Sequence, residues 1–195
     1  MIKAEYSDKN SVVELLSKAY NTNETINETI IQDTKRDYRL RKLMEYSFDI
    51  SYRFGQVYFS EDKEAVALII FPETKKTTLK IILLDIKLLL FCTGIFNAIK
   101  ALSREEAIKK AHPKVPLIYY IWYLGTNPEY ASKGIGSALM NDLITDSLAR
   151  KRIMCVEARI EKNMLWYKKF GFVIYHELVH RGRKWFCMKK EVDQM

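Results

Sequence analysis

Two glycines separated by a single residue, Gly134 and Gly136, sit where an aromatic and β-branched run, Tyr119 to Leu124, has ended and an amphipathic stretch begins. In that stretch Ile135, Leu139, Leu143 and Ile144 recur at helical spacing, while Asn141, Asp142, Thr145 and Asp146 are expected to face outward. The pattern is strand, glycine turn, helix, with the helix starting near Gly134. The first N–H groups of a helix lack intrahelical acceptors and carry partial positive charge, so an anion is stabilised there. Glycine lets that anion approach the backbone. The donors on offer belong to Ser132, Lys133, Gly134, Ile135, Gly136 and Ser137. A P-loop needs Gly-x-x-x-x-Gly-Lys-[Ser/Thr], which is absent, and a dinucleotide fold wants a third glycine where this chain has Leu139.

Downstream, Ile153 to Ile160 reads as a strand, Glu161 to Phe170 as a short helix closed by Gly171, and Phe172 to Leu178 as another strand. Asn163 and Tyr167 are four apart and share a helix face, completed by Phe170. Other constellations carry little chemistry. His176 and His180, four apart on a strand, lie roughly 13 Å apart by strand rise, too far for one metal, and no third ligand is evident. His112, before Pro113, reads as a turn residue, and Arg150-Lys151-Arg152 as a solvated, dipole-favoured helix end. Ser137 lacks the flanking pattern of a nucleophile elbow.

The loop Pro128-Glu129-Tyr130-Ala131-Ser132-Lys133-Gly134-Ile135-Gly136 resembles the pyrophosphate loop of the GNAT family of N-acetyltransferases, Pro-x-x-(Arg or Gln)-x-x-Gly-x-Gly, and Trp166-Tyr167-Lys168-Lys169-Phe170-Gly171-Phe172 resembles its Tyr-x-x-x-Gly-Phe signature. Ala131 stands where the family has Arg or Gln, and Ser132 where glycine is frequent, which leaves the backbone amides to hold the anion. The resemblance implies an α+β fold, a mixed twisted sheet of about seven strands flanked by helices, and acetyl-CoA as acyl donor without a metal. It implies that Asn163 contacts the donor and that Tyr167 lies beside the thioester sulfur. It also implies that the pantetheine arm adds like a strand between Ile118–Thr126 and Ile153–Ala158, pairing with amides at Leu124, Gly125 and Thr126. Gly125 itself suggests a bulge or a close backbone approach.

Acyl transfer to an amine needs a polarised carbonyl, a deprotonated amine and an accepted thiolate. Tyr167 is the candidate general acid. The strand Leu117 to Thr126 contains no carboxylate, so Glu157 on the next strand is the first candidate base, with Tyr120 as a polar relay. The expected function is N-acetyl transfer by direct attack of a primary amine of a small molecule or a protein. A non-catalytic acyl-CoA sensor with the same fold is the alternative, supported by Ala131.

The elements that must hold these residues follow from periodicity. One domain over residues 1–195 is expected: a strand Ile2 to Tyr6, helices Ser11 to Tyr20 and Tyr38 to Tyr52 with a polar loop near Asn21 between them, and a hairpin of Gln56–Ser60 and Ala65–Phe71. Residues 77–111, rich in Leu and Ile, are expected as a helical insertion of one or two helices before the central strand. They would cover the substrate side of the sheet or make a subunit contact, which leaves a homodimer open. Lys80, Lys87, Lys100, Lys109 and Lys110 do not line a single face of this segment, which argues for a structural role over a membrane-surface one. No run suits a spanning helix. Net charge is +8, but no nucleic-acid reader motif interleaves aromatic and basic residues. Cys92, Cys155 and Cys187 lie far apart in apolar strings, as buried reduced thiols do, and with a polar N-terminus this points to the cytoplasm.

Overall fold

A computed structural model describes residues 1–191. The strands are β1 (Ile2–Lys3), β2 (Gly55–Phe59), β3 (Ala65–Ile70), β4 (Ile118–Thr126), β5 (Ile153–Ala158), β6 (Val173–His180) and β7 (Arg183–Lys190). The helices are α1 (Lys9–Ala19), α2 (Glu24–Thr29), α3 (Arg36–Phe54), α4 (Leu79–Leu88), α5 (Gly94–Ala111), α6 (Ile135–Ala149) and α7 (Glu161–Lys168). The strands form one mixed sheet in the order β1-β2-β3-β4-β5-β7-β6. Every pairing is antiparallel except β4 with β5.

Alternation along the strands divides the core between the two faces of the sheet. Val66 and Leu68 of β3 join Val12, Leu16, Met44 and Phe48 from α1 and α3. Ala67 and Ile69 join Leu139, Met140 and Leu143 from α6 and Tyr167 from α7. Because both faces are covered, β3 is buried along its whole length.

Three elements differ from the sequence reading. The first strand stops at Lys3, because Tyr6–Asp8 is a 3-10 turn in which the Asp8 carboxylate accepts the Glu5 N–H at 2.9 Å. The polar passage after Asn21 contains α2, capped by the Asn23 side chain accepting from the Ile26 N–H at 3.1 Å. Ile26, Thr29 and Ile30 are its buried anchors, too few to produce a visible stripe. Asp146 does not face solvent: its Oδ2 accepts from the Tyr119 hydroxyl at 3.0 Å, the Tyr58 hydroxyl at 3.1 Å and Arg150 Nε at 2.8 Å. That carboxylate fixes the rotation of α6 on the sheet.

The insertion is two helices joined by a π-helical turn, Leu89–Thr93. Thr78 caps α4, accepting from the Ile81 N–H at 3.4 Å, and Ile81 and Leu84 pack against Ile50, Phe54 and Ile70. All three cysteines are free and buried, and burial pushes the thiols of Cys92 and Cys187 up to about 12. Among the described residues no helix is long and apolar enough to cross a membrane.

Asp146→Ala leaves two buried tyrosine hydroxyls and Arg150 without their shared acceptor. We expect a loss of about 2–3 kcal/mol in urea unfolding followed by circular dichroism.

Candidate active site

The site begins where two strands separate. β4 and β5 pair at Ile118 with Ile153, Tyr119 with Met154 and Tyr120 with Cys155, and no further. Beyond that point both continue, β4 to Thr126 and β5 to Ala158, without a ladder between them. A central sheet with a gap exposes backbone groups that need partners. Leu124 shows how one is met here: the Tyr20 hydroxyl donates to its carbonyl at 3.0 Å and accepts from its N–H at 3.1 Å. The Leu124 amide, expected to be free, is therefore engaged by α1's C-cap tyrosine. Burial raises the Tyr20 pKa well above the ordinary tyrosine value, so the hydroxyl keeps its proton.

Gly125 provides the close approach expected of it. A Cβ there would lie 2.9 Å from Ala19 Cβ and 3.3 Å from Leu16 Cδ2, so the glycine seats α1 against β4. The bulge lies three residues earlier. Leu68 pairs with Tyr123 and Ile69 with Ile121, leaving Trp122 as the extra residue. As a result Trp122 and Tyr123 both pack on the α1 and α3 side, whereas Ile121 and Leu124 pack on the α6 side.

β4 leads through Thr126 into the glycine loop. Asn127 and Pro128–Tyr130 form a tight turn, Ser132 and Gly134 take positive φ of 64° and 84°, and α6 starts at Ile135. Gly136 abuts Thr126, where a Cβ would meet Oγ1 at 2.9 Å; at Gly134 it would meet nothing within 4 Å. The Lys133 amide donates to the Tyr130 carbonyl at 3.4 Å and is thus not free, and its ammonium sits over the Tyr130 ring at 4.4 Å. The amides of Ser132, Gly134, Ile135, Gly136 and Ser137 have no acceptor among the described residues. An open loop of unpaired donors at a helix start fits a pyrophosphate.

At the parted strands a cavity of about 790 Å³ is lined by Leu124, Glu157, Asn163 and Tyr167 together, and it is roofed by α4 and α5. The insertion therefore covers this side of the sheet. Glu157 is buried, its side chain 5% exposed, and its Oε2 accepts the Tyr120 hydroxyl at 2.6 Å. Its Oε1 lies 3.5 Å from His112 Nε2, and neither atom has a hydrogen-bond partner. The His112 ring packs edge-on against Tyr120 at 5.1 Å. Burial, then the Glu157 charge, holds Tyr120 well above the ordinary tyrosine pKa, and burial does the same for Tyr167. Both hydroxyls are proton carriers in their neutral form at physiological pH.

His112 is the residue that the sequence reading missed. It caps the C-terminus of α5 as a turn residue should, but its ring lies behind the cavity wall against Tyr120 and Glu157, 45 positions from the carboxylate it faces. No local spacing signals that. Arg150 and Arg152 do not reach the loop: Arg150 is bound to Asp146, and Arg152 pairs with Glu73 at 2.6 Å over the Phe71 ring. They stand at the far end of α6, about 22 Å from its start. No cluster of three or more metal-ligating side chains occurs among the described residues, and His180 Nε2 lies 3.0 Å from Ser103 Oγ.

A mixed seven-stranded sheet opened between its parallel central pair, with a glycine loop at the mouth, defines an acyl-CoA-dependent transferase fold. Residues 97–174 match the family model of the acetyltransferase (GNAT) domain. Over those residues the chain matches an acetyltransferase domain whose family uses acetyl-CoA as the acyl donor. No curated protein matches it in sequence. Among solved structures, it is similar to one described as histone acetyltransferase HPA2 and related acetyltransferase from Corynebacterium glutamicum. The TM-score is 0.70 and the identity 20%, over 100% of this chain and 96% of that one. Arylalkylamine N-acetyltransferase 2 from Aedes aegypti follows at a TM-score of 0.63 and 17% identity, over 98% of this chain and 97% of that one. The C-terminal condensation domain of Ebony, solved with beta-alanyl-dopamine, gives 0.68 at 10% identity over 98% and 97%.

Tyr20→Phe removes the partner of both Leu124 backbone groups while keeping the ring. The expected cost is about 1–2 kcal/mol in the free protein, read from denaturant midpoints with an unchanged slope.

Proposed function

We propose that the chain transfers the acetyl group of acetyl-CoA to the primary amine of a small molecule with an apolar or aromatic body. The observation that carries this reading is the buried Glu157, held by Tyr120 and faced by His112, in a cavity that Tyr167 also lines. The rings of Tyr46, Tyr120, Trp122 and Trp185 wall the same cavity, which suits an aromatic or aliphatic amine body better than an extended peptide. The names of two structural neighbours, an arylalkylamine N-acetyltransferase and a domain bound to beta-alanyl-dopamine, lie in the same direction.

The donor's pyrophosphate would rest on the free amides of Ser132 and Gly134 to Ser137. Asn163, exposed on the first turn of α7, would contact the donor, and the pantetheine arm would run between β4 and β5. There the arm takes over the Leu124 backbone groups from the Tyr20 hydroxyl, continuing towards Gly125 and Thr126. Binding thus exchanges one hydrogen-bond partner for another rather than filling an unsatisfied edge.

A primary amine is neutral in only about four parts in ten thousand at pH 7. Glu157 removes its proton, directly or through one water, and becomes neutral, with His112 Nε2 3.5 Å away as a place for that proton to pass to. The amine nitrogen then attacks the thioester carbonyl, the carbon–sulfur bond breaks as the Tyr167 hydroxyl donates to the departing sulfur, and the nitrogen's surplus proton passes to solvent or back to the tyrosinate, leaving the amide, CoA thiol and neutral Tyr167. A thiol pKa near 8.5 against about 10 for tyrosine already makes the thiolate a competent leaving group. Orientation by Tyr167 therefore matters at least as much as its proton.

Two measurements test this. In calorimetric titration with acetyl-CoA, Gly134→Asp should abolish binding while the isosteric Gly134→Asn, which tolerates positive φ, retains it. If the two variants bind alike, the loop is an ordinary turn. In steady-state assays of CoA release with aromatic amines, Glu157→Gln should lower kcat/KM by about 10²–10³ with donor affinity unchanged, and Tyr167→Phe by about 10² or less. Full activity of Glu157→Gln would remove it as the base.

A further inference from the structure

The two insertion helices have unlike sides. Inward, Ile81, Leu84 and Leu88 pack on the body of the protein, and Asp85 accepts the Tyr46 hydroxyl at 2.8 Å. Outward, Leu79 and Leu83 of α4, Leu90 and Phe91 of the π-helical turn, and Ile95, Phe96 and Ile99 of α5 are all exposed, Phe96 to 83%, and none of them lines the cavity. Monomeric proteins rarely leave so much contiguous apolar surface in water.

The turn that carries the apex of this surface is fixed rather than loose. The Ile31 N–H donates to the Cys92 carbonyl at 3.0 Å, Arg39 Nη1 donates to the Phe91 carbonyl at 2.9 Å, and Cys92 Sγ donates to the Arg39 carbonyl at 3.0 Å. With Cys92 and Thr93 buried by these contacts, Leu90 and Phe91 are turned outward.

Charge identifies what the face suits. Residues 75–114 hold nine lysines and arginines against three carboxylates, a net +6 of the chain's +8. Across the whole segment the lysines do not share one face, but on α4 Lys80 and Lys87 are seven apart and lie together on one flank of the Leu79, Leu83 and Leu90 stripe. Lys100 lies within α5 beside Ile99. A second copy docked on this face would bring Lys80 and Lys87 against the same lysines of its partner. An anionic surface with an apolar layer beneath it satisfies both properties at once.

We infer that the outer face of α4, the π-helical turn and the first half of α5 docks the enzyme on anionic phospholipid membranes. The apolar residues enter the headgroup boundary and the flanking lysines meet lipid phosphates. The protein lies on the bilayer without crossing it.

The test is co-sedimentation of the whole chain with vesicles of phosphatidylcholine alone or mixed with phosphatidylglycerol, at low and high salt, alongside sedimentation equilibrium without lipid. Binding to the anionic vesicles only, weakening as salt rises, is expected. Lys80→Ala/Lys87→Ala should lower the partition constant about 30-fold, from roughly five-fold per lysine near an anionic surface. Phe91→Ser/Phe96→Ser should abolish binding with an unchanged Tm, since both side chains are exposed. Failure to bind anionic vesicles overturns the inference, as does equal binding to neutral ones or binding indifferent to the lysine pair. A dimer that Phe91→Ser/Phe96→Ser dissociates, with no vesicle binding, would assign the face to a second copy instead.

Discussion

The parting of β4 from β5 after Tyr120 and Cys155 is the constraint on which the rest of the structure depends. A gap in the middle of a sheet is unfavourable unless each strand is held from elsewhere and its backbone groups find partners. Here α1 draws β4 to one side through the contact of Gly125 with Ala19 and Leu16, and β7 holds β5 from Met154 to Ala158. The Tyr20 hydroxyl then satisfies both polar groups of Leu124. What results is a slot whose walls are rigid and whose one occupied backbone position is held by an exchangeable side chain.

The carboxylate of Asp146 and the glycine loop are two ends of one device. With three donors on a single oxygen, α6 cannot rotate without leaving charged and polar groups bare, so the amides of its first turn keep one direction. The roof over the slot is fixed in a different way, by the apolar inner stripe of α4 and by ion pairs that bring α2 to the end of β5. Arg159 meets Glu24 at 2.8 Å and Glu28 at 3.4 Å. The same two insertion helices that enclose the cavity thus present their other side to the surroundings.

Much of the candidate site's geometry was legible in the sequence because its signals are local. The spacing of Gly134 and Gly136 before an apolar repeat dictates a helix start with open donors, and Asn163 and Tyr167 share a helix face by arithmetic alone. The succession of elements was legible too, down to the insertion between the hairpin and the central strand. What escaped depends on contacts between distant segments. His112 meets Glu157 only because α5 ends against β4; Asp146 turns inward only because Tyr58 and Tyr119 wait on the sheet; α2 is too short to announce itself through periodicity. The Lys133 and Leu124 amides looked free because the atoms that engage them, the Tyr130 carbonyl and the Tyr20 hydroxyl, could not be paired with them from sequence.

Trp122 has a consequence for how this chain can change over time. Because it is one residue too many for β3, the stretch Tyr119 to Ile121 and the stretch Tyr123 to Thr126 follow opposite parities of in and out. Losing or gaining one residue elsewhere in β4 would exchange the faces of all that follows, turning the Leu124 backbone away from the slot and its side chain out of the core. The strand can be rewritten residue for residue, or altered in length at Trp122 itself, but its length is otherwise frozen. Descendants of this chain should vary in the loops on either side of β4 long before they vary in its residue count.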